Sequence, residues 1–164
     1  MIFLSLYIFL LFELAAVAWA DLKYRKVPNL WSYLNFGLFL ALTLSTSGIW
    51  SFSWMVFCWP LLIFIFGFLF FWLGIMGGGD AKYLASLFLV IPLRDQEPFM
   101  FALLIATIIA SAVLILWNFY KESSSGKGFI VYIKENFGRK YPFIPVVFFS
   151  WAVYGAMELL VGRA

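Results

Sequence analysis

The sequence predicts an all-α, polytopic membrane protein: a bundle of six transmembrane helices in a single domain spanning 1–164. Three observations predict it. Apolar residues make up 65% of the 164, charged residues only 12%, and the mean hydropathy is +1.01. Soluble domains carry about 45–50% apolar and about 25% charged residues. A water-soluble fold of this size cannot bury that much apolar surface in one core, whereas lipid can take the remainder. Finally, the apolar stretches run on without strict alternation. Where every backbone polar group must be paired internally, that pattern selects helices over a closed barrel.

A spanning helix needs about 20 apolar residues. The first run, 2–20, is interrupted only by Glu13. A basic turn follows, with Asp21, Lys23, Arg25 and Lys26 leading to Pro28-Asn29, which opens the second run, 30–46. Ser45-Thr46-Ser47-Gly48 bounds that run, and the third, 52–75, holds Pro60 and Gly67. Gly77-Gly78-Gly79-Asp80 introduces a short fourth run, 80–93, and Arg94-Asp95-Gln96-Glu97-Pro98 reads as a charged turn before the fifth, 99–119. The inner loop 120–142 is polar apart from Phe129–Phe137, whose spacing suits a short helix lying on the interface. The sixth run, 143–161, starts among Pro142 and Pro145, which suit a first helical turn. Trp31, Tyr33, Trp50, Trp54, Trp117 and Tyr120 fall near span ends, where aromatic belts form.

Six spans put both termini on one side. With both outside, the inner connections hold Lys23, Arg25, Lys26, Lys82, Lys121, Lys127, Lys134, Arg139 and Lys140, leaving only Arg94 and Arg163 of the 11 cations outside. The positive-inside rule therefore predicts an N-out, C-out chain in the cytoplasmic membrane. Ala18-Trp19-Ala20 before Asp21 has the look of a signal-peptide cleavage site. The flanks argue against it, because such peptides are basic before the apolar stretch and this chain is basic after it.

Composition excludes several chemistries. There is one cysteine, Cys58, and no histidine. No internal disulfide, Cys/His zinc cluster or histidine-based triad is therefore possible, and neither a metal nor a cofactor is expected. A net charge of +3 is too small to suggest nucleic acid. Any hydrolytic chemistry must rest on carboxylates, lysine or tyrosine, or on an oxygen-ligated metal.

There are eight acids. Asp95, Glu97, Glu122 and Glu135 fall in polar connections and read as solvated. Glu158 lies near the outer end of the last span. Glu13 sits inside the first span, where it either meets a polar group of a substrate or pairs with a Ser, Thr or Tyr of the bundle. Asp21 ends the first span and Asp80 begins the fourth, so both belong at the inner face. Two carboxyls brought close cannot both ionise easily and share a proton. One can then take a proton from water while the other donates to a carbonyl oxygen. The bland alternatives are a helix-end acid for Asp21 and a capped turn for Asp80. The glycines before Asp80 free the backbone and remove bulk. The fourth run reaches only ~20 Å at ~1.5 Å per residue, against a core of ~30 Å, which suggests a small aqueous recess beside Asp80. Lys82, two positions on, faces another side of the helix and marks the inner boundary.

Two segments carry a resemblance. Asp21-Leu22-Lys23-Tyr24-Arg25-Lys26-Val27-Pro28-Asn29 sets an acid and basic residues before Val-Pro-Asn, and Gly77-Gly78-Gly79-Asp80-Ala81-Lys82 is Gly-x-Gly-Asp with a following lysine. Together they resemble the type IV prepilin peptidases and their archaeal preflagellin relatives. The resemblance implies a membrane aspartic endopeptidase that removes a short basic leader from prepilin-like membrane proteins at the cytoplasmic face. It implies Asp21 and Asp80 as the catalytic pair, with Gly77, Gly78, Gly79, Lys82, Pro28 and Asn29 as motif residues. The chain lacks the cysteine-bearing inner insertion of bifunctional members, so no methyl transfer is expected. An ion-coupled transporter or channel using Asp21, Asp80 and Glu13 is the alternative, since carboxylates near a broken helix also suit ions. A silent assembly component is a third reading.

Overall fold

The apolar runs become helices whose ends are set by backbone-restricting residues and by polar contacts between helices. The computed structural model describes residues 2–45, 54–74, 76–122 and 143–161, and all the regular structure in them is helical. The helices are α1 (Ile2–Tyr24), α2 (Asn29–Ser45), α3 (Cys58–Trp72), α4 (Gly78–Val90), α5 (Leu93–Glu122) and α6 (Ile144–Val161). A single 3-10 turn, Trp54–Phe57, leads directly into α3. The interfacial helix expected at Phe129–Phe137 and the belt residue Trp50 lie outside the described residues.

Among the described residues three helices are long and apolar enough to cross a membrane: Leu4–Tyr24, Trp54–Trp72 and Leu93–Trp117. Helices α2, α4 and α6 are shorter. Along α3 and α5 most large apolar side chains face outward, including Leu61, Phe64, Ile65, Phe68, Ile105, Ile108 and Leu116. In water such faces would be untenable at this density; lipid is their natural cover.

Helix α4 occupies the interior. Its residues Asp80, Ala81, Tyr83 through Phe88 and Val90 are all buried, and it packs against α2 and α3. Gly67 permits the close approach of α3: a β-carbon there would lie 2.7 Å from the Ala81 β-carbon. On the other side α6 packs against α1 and α5. Its Gly155 fits beneath the Tyr7 ring, which a β-carbon would overlap. Phe88, Phe99 and Trp151 join the two halves, with ring centroids 5.3 and 5.0 Å apart, in the range of favourable aromatic pairs.

Two boundaries differ most from expectation. Helix α1 continues past Ala20 to Tyr24 and closes at Arg25, whose φ of 50° is left-handed and whose N–H donates to the Asp21 carbonyl at 2.8 Å. Helix α5 starts at Leu93, so Arg94–Pro98 forms its opening turns and is no free connection. The Pro92 carbonyl accepts from the N–H groups of Asp95 and Gln96 at 2.8 and 3.2 Å, and tertiary contacts fix the rest. Asp95, far from solvated, is only 4% exposed. It accepts from the Tyr154 hydroxyl at 3.0 Å and pairs with Arg94 at 3.3 Å. Gln96 is fully buried, and its Nε2 donates toward the carbonyls of Phe88, Ile91 and Val56. These partners outweigh the turn character of the local sequence.

Candidate active site

Asp21 lies on the last full turn of α1 and is 3% exposed. Its Oδ2 accepts the N–H of Ile144 at 3.2 Å, at the first turn of α6. A helix start presents unpaired N–H groups and a partial positive charge, so a carboxylate is well placed there. Beyond Asp21 the left-handed Arg25 turns the chain inward, burying Val27 before Pro28-Asn29 starts α2.

Asp80 lies in the first turn of α4 and is 7% exposed. Gly77, in an extended conformation, precedes the helix, and its N–H donates back to Asp80 Oδ2 at 3.3 Å. Each acid therefore sits at a helix start, Asp80 at that of its own helix and Asp21 at that of α6. Lys82 is exposed, on a different face from buried Asp80.

The glycines act through absent bulk more than through φ. A β-carbon on Gly79 would stand 2.7 Å from the Val27 carbonyl oxygen, and one on Gly77 would stand 2.8 Å from Asp80 Oδ2. One on Gly78 would make only ordinary contact with the Phe71 ring at 3.4 Å. The glycine that does use a left-handed φ is Gly74, at 75°, in the turn leaving α3. Of the expected site residues, the fold thus brings together the turn after Asp21 and the turn before Asp80, through the backbones of Val27 and Gly79.

Glu13 is placed apart from this contact. It is buried on α1 and faces Tyr83 of α4 and Asn35 of α2. The participation of Ile144 was not legible in the linear chain, since its backbone N–H has no side-chain signature. Pro142 and Pro145, which mark a helix start there, are the only local clue. Among the described residues no cluster of three His, Cys, Asp or Glu side chains is arranged to hold a metal.

Compared with protein families, the chain matches the type IV leader peptidase family over residues 8–116. Neither the curated proteins nor the solved structures give a match. The matched stretch runs from α1 through most of α5 and contains both the Asp21–Asn29 and the Gly77–Lys82 segments. Because it takes in more than half of the chain, the chain belongs to the type IV leader peptidase family, whose members are peptidases.

Proposed function

We propose that this protein is a membrane aspartic endopeptidase that removes the basic leader of prepilin-like proteins at the cytoplasmic face, using Asp21 and Asp80. The observation that supports the reading is the Val27–Gly79 contact, which sets the connection after Asp21 against the first turn of α4, the turn that bears Asp80, inside a peptidase family's matched region. The family supplies the reaction class, and with no histidine in the chain to serve as a base, carboxylates suit it.

In this mechanism one carboxylate removes a proton from water as its oxygen attacks the scissile carbonyl. The partner, protonated because two close carboxylates resist joint ionisation, donates to the carbonyl oxygen. Collapse of the tetrahedral intermediate breaks the C–N bond: the proton taken from water passes to the leaving amine, and a hydroxyl proton of the intermediate returns to the other carboxylate, so the pair again shares a single proton. In the six-span, N-out arrangement that the apolar runs and the positive-inside rule predict, the basic residues Lys23, Arg25, Lys26 and Lys82 beside both acids lie inside, on the side where leaders are exposed.

The test is co-expression with a pilin precursor, scoring leader loss by gel mobility. Asp21→Asn and Asp80→Asn should each slow processing by roughly 10²–10⁴-fold, the usual worth of a general acid or base. Processing at the normal rate in either variant would reject the reading. An ion carrier would instead leave processing untouched and lose flux.

A further inference from the structure

Lys23, Arg25 and Lys26 follow Asp21 at the end of α1, and Lys82 lies one turn beyond Gly79 on α4. All four are exposed. The Val27–Gly79 contact joins the connection beside the first three to the helix that bears the fourth, so the fold gathers them at one end of the bundle. The acids of the same two segments add no negative surface. Asp21 and Asp80 are buried and accept from the N–H groups of Ile144 and Gly77. Among the described residues none of the four cations is in an ion pair, and the Lys23 ammonium stands over the Tyr24 ring, 5.2 Å from its centroid. The two segments thus present a positive rim with no exposed acid.

The depth of this rim follows from α5 and α6, which run antiparallel: Asp95 meets Tyr154, and Phe99 meets Trp151. Stepping from Trp151 back to Ile144 on α6 corresponds to stepping from Phe99 on to Ala106 on α5. Ala106 therefore stands near the level of Ile144, and so of Asp21, which Ile144 bonds. The apolar run of α5 goes on to Trp117, ~16 Å farther at ~1.5 Å per residue. Ile108, Ile109, Val113 and Leu116 face outward along it and need lipid. The hydrocarbon beside α5 thus reaches past the level of Asp21, while Lys23 and Lys26 lie only ~3–8 Å beyond that acid. Cations at such a depth meet lipid phosphates before any anion in solution. The exposed rings of Tyr24 and Tyr33, at the facing ends of α1 and α2, suit the same headgroup layer.

We propose that Lys23, Arg25, Lys26 and Lys82 form a docking surface for the headgroups of anionic phospholipids, drawn down beside the turns that carry Asp21 and Asp80. The surface does not depend on those acids being catalytic.

The experiment follows thermal unfolding of the full chain in dodecyl maltoside by circular dichroism as dioleoylphosphatidylglycerol is added. Dioleoylphosphatidylcholine and inorganic phosphate are titrated in parallel. The wild type should show a saturable rise in Tm with phosphatidylglycerol alone, as binding to the folded state requires. Lys82→Gln should raise the half-saturating phosphatidylglycerol about fivefold, the worth of one cation beside an acidic surface. Removing Lys23, Lys26 and Lys82 together, each by glutamine, should raise it on the order of a hundredfold. Arg94→Gln, beyond the opposite end of α4, should leave it unchanged. An equal rise with phosphatidylcholine would overturn the proposal, as would an equal rise with phosphate, which marks a free-anion site. A shift in Arg94→Gln as large as that in Lys82→Gln would reduce the effect to net charge and reject the surface. If the triple variant does not fold, Lys82→Gln, a change to one exposed side chain, decides alone, and an unchanged half-saturation rejects the surface.

Discussion

The carbonyl oxygen of Val27 lies 2.7 Å from the point where a β-carbon on Gly79 would sit. That atom is backbone, held in a turn whose neighbours Arg25 and Pro28 have little freedom to yield. Gly79→Ala should therefore push the two motif turns apart. We expect a loss of about 1–3 kcal/mol, the usual cost of overpacking, and a large fall in processing. Gly78→Ala is the control: its β-carbon meets Phe71 at ordinary contact distance, and alanine is the better helix former by about 1 kcal/mol. Denaturation midpoints of the two variants, read beside leader cleavage, check the contrast.

Gly77→Ala should behave differently from both. Its β-carbon would meet Asp80 Oδ2 at 2.8 Å, the far end of a side chain that can rotate away. The steric cost is then small, but the carboxylate leaves the Gly77 N–H that now bonds it. Stability should fall by about 1 kcal/mol, the worth of a hydrogen bond, while processing falls by far more than stability does. Equal losses in both would show that the Asp80 geometry does not matter.

Gln96→Leu tests the junction between α4 and α5. The amide Nε2 reaches the carbonyls of Phe88 at 2.8 Å, Ile91 at 3.1 Å and Val56 at 3.4 Å, so the nitrogen assignment is the only one these acceptors allow. Leucine keeps the volume and strands those oxygens. A destabilisation of about 1–3 kcal/mol is expected in a thermal or chemical melt.

Arg25→Gly should move stability the other way. A side chain at a φ of 50° is held at a cost that glycine does not bear. Against glycine's greater freedom in the unfolded chain, a net gain of about 0.5–1 kcal/mol is expected, measurable as a higher melting temperature.

These contrasts also mark what the linear chain reveals. The α-helices of the described residues were legible because apolar length and the breakers around Pro28, Gly77 and Pro145 are local signals. The start of α5 was not, because Arg94–Pro98 has turn composition and its helical state is enforced by partners elsewhere. Asp95 is the sharpest case. A charge in a polar segment reads as solvated, but its Tyr154 partner comes from another helix, 59 residues on. The two acids of the candidate site stood out by position and by their neighbouring motifs. What surrounds them did not, since Val27's contact with Gly79 and Asp21's bond to Ile144 are made by backbone atoms. Composition carries no trace of such contacts.

The bond from Ile144 to Asp21 crosses from the far end of the chain to the first helix, and Ile144 lies beyond the stretch that matches the family. Trimming the protein to its recognisable segment would delete the donor and uncover an acid that is otherwise shut away at the base of α1. The last helix is therefore a working part of the first, and any shortened version would have to supply a substitute N–H for Asp21.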